Sequence, residues 1–171
     1  FRRKQMTYDT DGKFFEDNGQ RAVFFARGVL ETVKKLRWAP DVIHCQGWIT
    51  NLIPLYLKKV YKADPIFADS RIVTTLYNDI SEEKFGASFK DTILFGGISP
   101  DDVPLPEDPD GTNLAKLAAM YSDGVIIGDS AVSSDLVGYC KGLDVPTLDF
   151  NAESMENGTY AREYDEFYQQ L

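Results

Sequence analysis

Apolar residues recur at Ala22, Ala26, Val29, Val33 and Leu36, separated alternately by four and three positions. That rhythm keeps one face of a helix apolar. It predicts a long amphipathic α-helix, stopped by Pro40 soon after Trp38. Asp17, three residues ahead of Gln20, supplies a capping-box pattern at its start. Upstream, extended and aromatic flanks around Asp11-Gly12 carry a hairpin signal. Downstream the pattern changes: Asp41-Val-Ile-His-Cys-Gln46 is apolar until its end, as in strands buried on both faces of a parallel sheet.

Helical spacing returns at Ile49, Leu52, Ile53, Tyr56, Leu57 and Val60, so a second helix is expected directly after that strand. A turn at Asp64-Pro65 leads to a β-branched run over 71–77, the next strand. Residues 81–94 have a helical character that Gly86 weakens. Residues 99–111 hold Pro100, Pro104, Pro106 and Pro109 among acids, the composition of a surface loop. The remainder predicts a helix over 113–121, a strand over 124–128, a helix over 131–141 that Ser130, Ser133 or Ser134 can cap, and a strand over 145–150. An amphipathic helix with Tyr164, Phe167 and Tyr168 spans 160–171.

Strands alternating with helices build βαβ units around a parallel sheet. The expected fold is therefore α/β, a Rossmann-like parallel sheet flanked by helices, with 1–171 forming one domain without internal repeats. If the strands lie in sequence order, right-handed crossovers put the connecting helices on one face. The other face then needs the first helix, elements preceding this chain or another subunit. This segment by itself is expected to expose apolar surface or self-associate. It begins with Phe rather than Met, so a domain lacking its first strands is expected.

Composition narrows the chemistry. Asp and Glu number 27 against 18 Lys and Arg, a net charge of −9 that argues against a sequence-independent nucleic-acid binder. No apolar run reaches the ~20 residues of a membrane span. Two cysteines and one histidine cannot form a four-ligand Cys/His zinc site, and any imidazole catalysis would rest on His44 alone. Cys45 and Cys140 read as free thiols of a reducing compartment, the cytoplasm.

Two segments carry a family likeness. Asp17-Asn18-Gly-Gln-Arg21-Ala-Val-Phe24-Phe25-Ala-Arg27 resembles the Asp-Asn-x-x-Arg-Phe-x-Phe-Phe-Ser-Arg helix opening of bacterial glycogen and starch synthases. Leu36-Arg-Trp38-Ala-Pro40-Asp41-Val-Ile-His44-Cys45-Gln46-Gly47-Trp48-Ile-Thr50 resembles their Leu-x-Trp-x-Pro-Asp-Ile-Ile-His-Cys-His-Asp-Trp-x-Thr. Residues 72–78 fall where that family has a strand ending in His-Asn.

The resemblance implies part of the N-terminal domain of a two-domain GT-B glucosyltransferase. Such an enzyme transfers glucose from ADP-glucose to an α-1,4-glucan with retention and without a metal or further cofactor. Its second domain brings most of the nucleotide site and the charged catalytic groups. The implied partners are α-glucan, nucleotide sugar, and either a C-terminal-type domain or further copies of the chain; nucleic acid and membrane are not among them. This sequence departs from the pattern where chemistry is expected. The family's sugar-contacting His falls at Gln46, its Asp neighbour at Gly47 and the His of His-Asn at Tyr77, while Asn78 is kept. The Lys-x-Gly-Gly loop has no counterpart in the sequence.

Substrate-binding candidates are thus Gln46, Gly47, Trp48, Thr50, Tyr77 and Asn78, at strand ends where open α/β sheets bind ligands. A helix beginning near Ile49 would aim free N–H groups at the same crevice. Gln46 can hydrogen-bond a sugar hydroxyl but cannot shuttle a proton, and no residue is assigned a catalytic role. The alternative for Gln46 to Trp48 is a plain strand-to-helix turn with Trp48 as packing anchor, and for Asn78 a turn former. His44 reads as a buried, hydrogen-bonded residue of the strand. Three functions remain: a synthase-like transferase domain inactive as this piece, a non-catalytic glucan- or nucleotide-sugar-binding regulatory module, or a structural subunit.

Overall fold

The computed structural model describes residues 5–171; Phe1, on which the expectation of a missing beginning rests, lies outside them. Four parallel strands pair in sequence order: β1 (Val42–Gln46), β2 (Arg71–Leu76), β3 (Gly124–Ile127) and β4 (Thr147–Leu148). The expected α/β architecture, a parallel sheet flanked by helices, is what forms.

Side-chain alternation divides the sheet into two faces. Ile43, Cys45, Ile72, Leu76, Val125 and Ile127 point to the face packed by the crossover helices α2 (Ile53–Lys59), α4 (Gly111–Met120) and α5 (Ser134–Gly142). Helix α1 (Asn18–Leu36) lies outside α2 and the short α3 (Phe89–Ile93), burying Ala22, Ala26 and Leu30. Val42, Val73, Ile126 and Leu148 point the other way. There the last helix, α7 (Tyr160–Tyr168), lays Phe167 on Val73 and Ile126. The opposite face is therefore covered from within the chain, by its final helix rather than by α1. A Cβ added to Gly124 would meet Phe167 and Leu171 at 3.0 Å, so a glycine there lets the helix approach.

Several local expectations are corrected. Asp17 holds the N-cap position of α1 without a side-chain capping bond, its φ of −91° and ψ of 9° lying outside the extended geometry from which a side chain caps. The hairpin reduces to one antiparallel bridge, Tyr8 to Phe14, closed around Gly12 at φ 79°. The helix expected from Ile49 splits into a 3-10 turn (Trp48–Thr50) and α2. Pro54 has no N–H to donate, so it fits only in the first turn of α2. Residues 81–94 keep only the five-residue α3, downstream of Gly86 at φ 84°.

Residues 99–111 are not wholly a surface loop. Val103 and Leu105 are buried, and Asp110 caps α4 in a reciprocal pair with Asn113, at 2.8 and 3.0 Å. A sixth helix, α6 (Ala152–Asn157), precedes α7 in a stretch left unassigned from the sequence. The apolar surface expected of this segment lies on and after α1, where Phe24, Leu36 and Trp38 are each more than 60% exposed.

Candidate functional site

Strands β1 and β2 end side by side, and a crevice opens at their carboxyl ends. Gly47, Trp48, Asn51, Tyr77, Asn78 and Asp79 form one wall of it. The starts of α4 and α5, through Thr112 and Ser133, form the other. Gly111 at the head of α4 is in close contact with the loop after β2: a Cβ there would stand 2.0 Å from the Ile80 carbonyl oxygen.

Of the six residues singled out from the sequence, five fall into two groups and Asn78 stands apart. Gln46 and Tyr77 meet on the α7 side, where the Tyr77 hydroxyl donates to Gln46 Oε1 at 3.2 Å. The Tyr77 ring lies over Gly128, whose missing side chain makes the space: a Cβ would come 2.5 Å from the ring. Gly47, Trp48 and Thr50 shape the turn after β1. Gly47 takes φ 77° and ψ 155°, a conformation that favours glycine. Thr50 Oγ1 donates back to the Gly47 carbonyl at 2.8 Å.

Trp48 is 3% exposed and packs against Phe14 and Phe85, with Nε1 donating to Thr7 Oγ1 at 3.2 Å. Its ring belongs to the core, and only its backbone faces the crevice. The Asn78 N–H donates to Asp129 Oδ2 at 2.9 Å.

Sequence reasoning also expected a helix start with free N–H groups at this turn. The structure has a single 3-10 turn there, and its Trp48 N–H already donates to Asp79 Oδ2 at 3.0 Å. Asp79 was not among the candidates. Burial raises its pKa, with the Asp129 charge adding, although the N–H groups of Trp48, Asp79 and Ile80 pull the other way. Its only signal in the sequence was a carboxylate directly after the strand-ending Tyr77-Asn78.

Asn51 was missed as well. It is 5% exposed, and its Oδ1 finds no hydrogen-bond donor among the described residues.

His44 is half-buried beneath α7. Its Nε2 lies 2.6 Å from Thr75 Oγ1 and its Nδ1 lies 2.7 Å from the Tyr168 hydroxyl. Tyr164 and Tyr168 stand edge-on to the ring, at 5.7 Å each. Burial lowers its pKa to about 4, so it is neutral at pH 7. Burial likewise raises the free thiols, Cys45 to about 12 and Cys140 to about 11, which makes both poor nucleophiles. Among the described residues no group of three or more His, Cys, Asp or Glu side chains could hold a metal ion. No helix among them is long and apolar enough to cross a membrane.

The starch synthase catalytic domain family model matches residues 1–140. The glycogen synthase of Clostridium perfringens is 31% identical over 159 residues, covering 88% of this chain and 32% of its own length. That of Chlorobium limicola is 31% identical over 141 residues, covering 81% and 28%. The catalytic domain of starch synthase IV from Arabidopsis thaliana, solved bound to ADP and acarbose, superposes with a TM-score of 0.59. It is 20% identical and covers 84% of this chain and 32% of that one, a likeness of fold. The chain spans about a third of the length of the curated relatives it matches. With the family model matching most of its length, this chain belongs to the starch synthase catalytic domain family.

Proposed function

We propose that this chain is the sugar-handling part of a glycogen or starch synthase-type glucosyltransferase, moving glucose from ADP-glucose to an α-1,4-glucan. The observation that carries the reading is the rim where β1 and β2 end. There Gln46 and Tyr77 are hydrogen-bonded to each other with Asn78 next along the chain, and the family resemblance implies hydrogen-bonding side chains toward a sugar at these positions. Gln46 and Tyr77 bind and orient hydroxyls, while Gly47 and Thr50 set the turn that presents them. No proton is moved by these side chains: an amide does not titrate, and burial raises the Tyr77 hydroxyl above its usual range.

The charged groups of the transfer, and the site for the ADP moiety, come from a second α/β domain, either further along a longer polypeptide or as a separate chain. The chain works in the cytoplasm, in keeping with its two buried free thiols.

A second reading is favoured by one observation. His44 is neutral and held beneath α7 by Thr75, Tyr164 and Tyr168, its Nδ1 3.4 Å from Gln46 Nε2, so it stands behind a rim amide rather than presenting an imidazole in the amide's place. On that ground the chain acts as a non-catalytic α-glucan-binding or nucleotide-sugar-binding module in glycogen metabolism.

Incorporation of labelled glucose into glycogen from ADP-glucose, with and without a supplied C-terminal-type domain, separates the two. Incorporation supports the transferase. Its absence, with maltoheptaose or ADP-glucose bound in a titration, supports the module. Absence of both activity and binding overturns each.

A further inference from the structure

The imidazole beneath α7 reaches the rim through one atom, and that contact decides how a rim side chain is presented. His44 Nε2 lies 2.6 Å from Thr75 Oγ1, while its Nδ1 lies 2.7 Å from the Tyr168 hydroxyl and 3.4 Å from Gln46 Nε2. Both hydroxyls can donate or accept, so they admit either form of the neutral ring. Gln46 does not. Its oxygen takes the Tyr77 hydroxyl at 3.2 Å, which leaves its NH2, a donor only, facing Nδ1. Nδ1 is then the bare, accepting nitrogen, and the proton sits on Nε2 and is donated to Thr75.

The other form of the ring would reverse the amide. An N–H at Nδ1 needs an acceptor, which would turn Gln46 Oε1 inward and its NH2 toward Tyr77. The state of the ring and the face of the amide are therefore a single variable. Helix α7 acts on it from the far side. Tyr164 and Tyr168 stand edge-on to the ring and fix its plane. Nδ1 has one lone pair in that plane, and the Tyr168 hydroxyl is its nearer donor. Gln46 thus keeps most of its donor capacity, and its second N–H has no partner among the described residues. Helix α7 lies beyond residues 1–140 of the family match, so this control comes from outside the shared segment.

We propose that His44 and Tyr168 are positioning residues for Gln46: the Tyr168 hydroxyl and the Nε2–H form of the ring hold the rim amide with its oxygen on Tyr77 and its NH2 free to donate to a sugar hydroxyl. The proposal rests on the synthase-type reading above and adds that the last helix, acting through the strand beneath the rim, sets how the site binds.

The chain has one histidine, so a nitrogen-15 long-range correlation spectrum of the imidazole reports His44 alone. The expected result is the Nε2–H form, with the Nδ1 resonance moving when saturating maltoheptaose or ADP-glucose engages Gln46. The Nδ1–H form, or a resonance that stays in place while either ligand binds, overturns the proposal.

Calorimetric titration of the full chain with the same two ligands gives a second readout, in Gln46→Ala, Tyr168→Phe and the double variant. Gln46→Ala should weaken binding about five-fold, the effect of one lost hydrogen bond. Tyr168→Phe keeps the ring that packs α7 but gives the whole Nδ1 lone pair to the amide, and should weaken binding about two-fold or more. In the Gln46→Ala background it should weaken nothing further, whereas a residue that only supports the fold would weaken both backgrounds alike. Equal losses in the two backgrounds, or no loss in the parent, overturn the proposal alone. A parent that binds neither ligand, or a Gln46→Ala variant that binds as the parent does, overturns the synthase-type reading of the rim and this proposal with it.

Discussion

His44 lies between two hydroxyl groups, Thr75 at 2.6 Å and Tyr168 at 2.7 Å, on the face that α7 covers. Its folded-state pKa of about 4 lies below the unfolded value of 6.5. Above pH 6.5 both states are neutral and the histidine contributes its full stability. As pH falls from 6.5 toward 4, the unfolded chain takes a proton that the folded chain refuses, and stability is lost. Urea midpoints measured between pH 6.5 and 5 should therefore decline in the parent and stay flatter in His44→Gln; equal slopes would contradict this account.

The sequence singled out His44 as the sole imidazole and placed it in a strand. Its burial and hydrogen bonding were legible from the apolar strand around it, but the partner was not, because Tyr168 lies 124 residues away. The same limit hid Asp79. With Gly47 standing where the family pattern has an Asp, the turn's Trp48 N–H is held by a carboxylate 31 positions on, a pairing that spacing does not reveal. Asn51 was invisible for a different reason, since nothing in a single sequence shows that a side-chain oxygen will lack a donor.

Helix α7 has one fully buried anchor, with Tyr164 and Tyr168 packed beside it. Phe167 is 4% exposed and bears on Val73 and Ile126, while Tyr160 is 39% exposed. Phe167→Ala should destabilise the chain by about 3 kcal/mol in chemical denaturation. It should also let a hydrophobic dye reach Val73 and Ile126, and an unchanged midpoint would mean that α7 is not part of the cooperative fold. Elements with a long periodic signal, α1 and α7 above all, were legible because their packing face is written in the spacing itself. Those set by one residue's covalent geometry were misjudged: Pro54 divides the segment after β1, and Val103 and Leu105 tuck inward from a run of prolines that composition alone makes a loop. The sheet's second face was misassigned because right-handed crossovers specify where the connecting helices go but are silent about the last one.

The molecule carries a net charge of −9, yet Leu36 and Trp38 are 68% and 62% exposed. Charge favours separate molecules and apolar surface favours association, so the outcome depends on concentration and salt. Apparent mass by sedimentation should rise with protein concentration, more steeply at high salt, and the rise should be reduced in Leu36→Lys/Trp38→Lys. A parent that stays monomeric across that range would rule association out.

The covering of the sheet by its last helix also sets an order of events during synthesis. Val73 and Ile126 are translated before Phe167, with about forty residues separating Ile126 from it. At roughly 5–20 residues per second, several seconds separate the synthesis of Ile126 from that of the Phe167 that packs on it. For that interval the nascent sheet is a target for chaperones and for neighbouring chains on the same messenger.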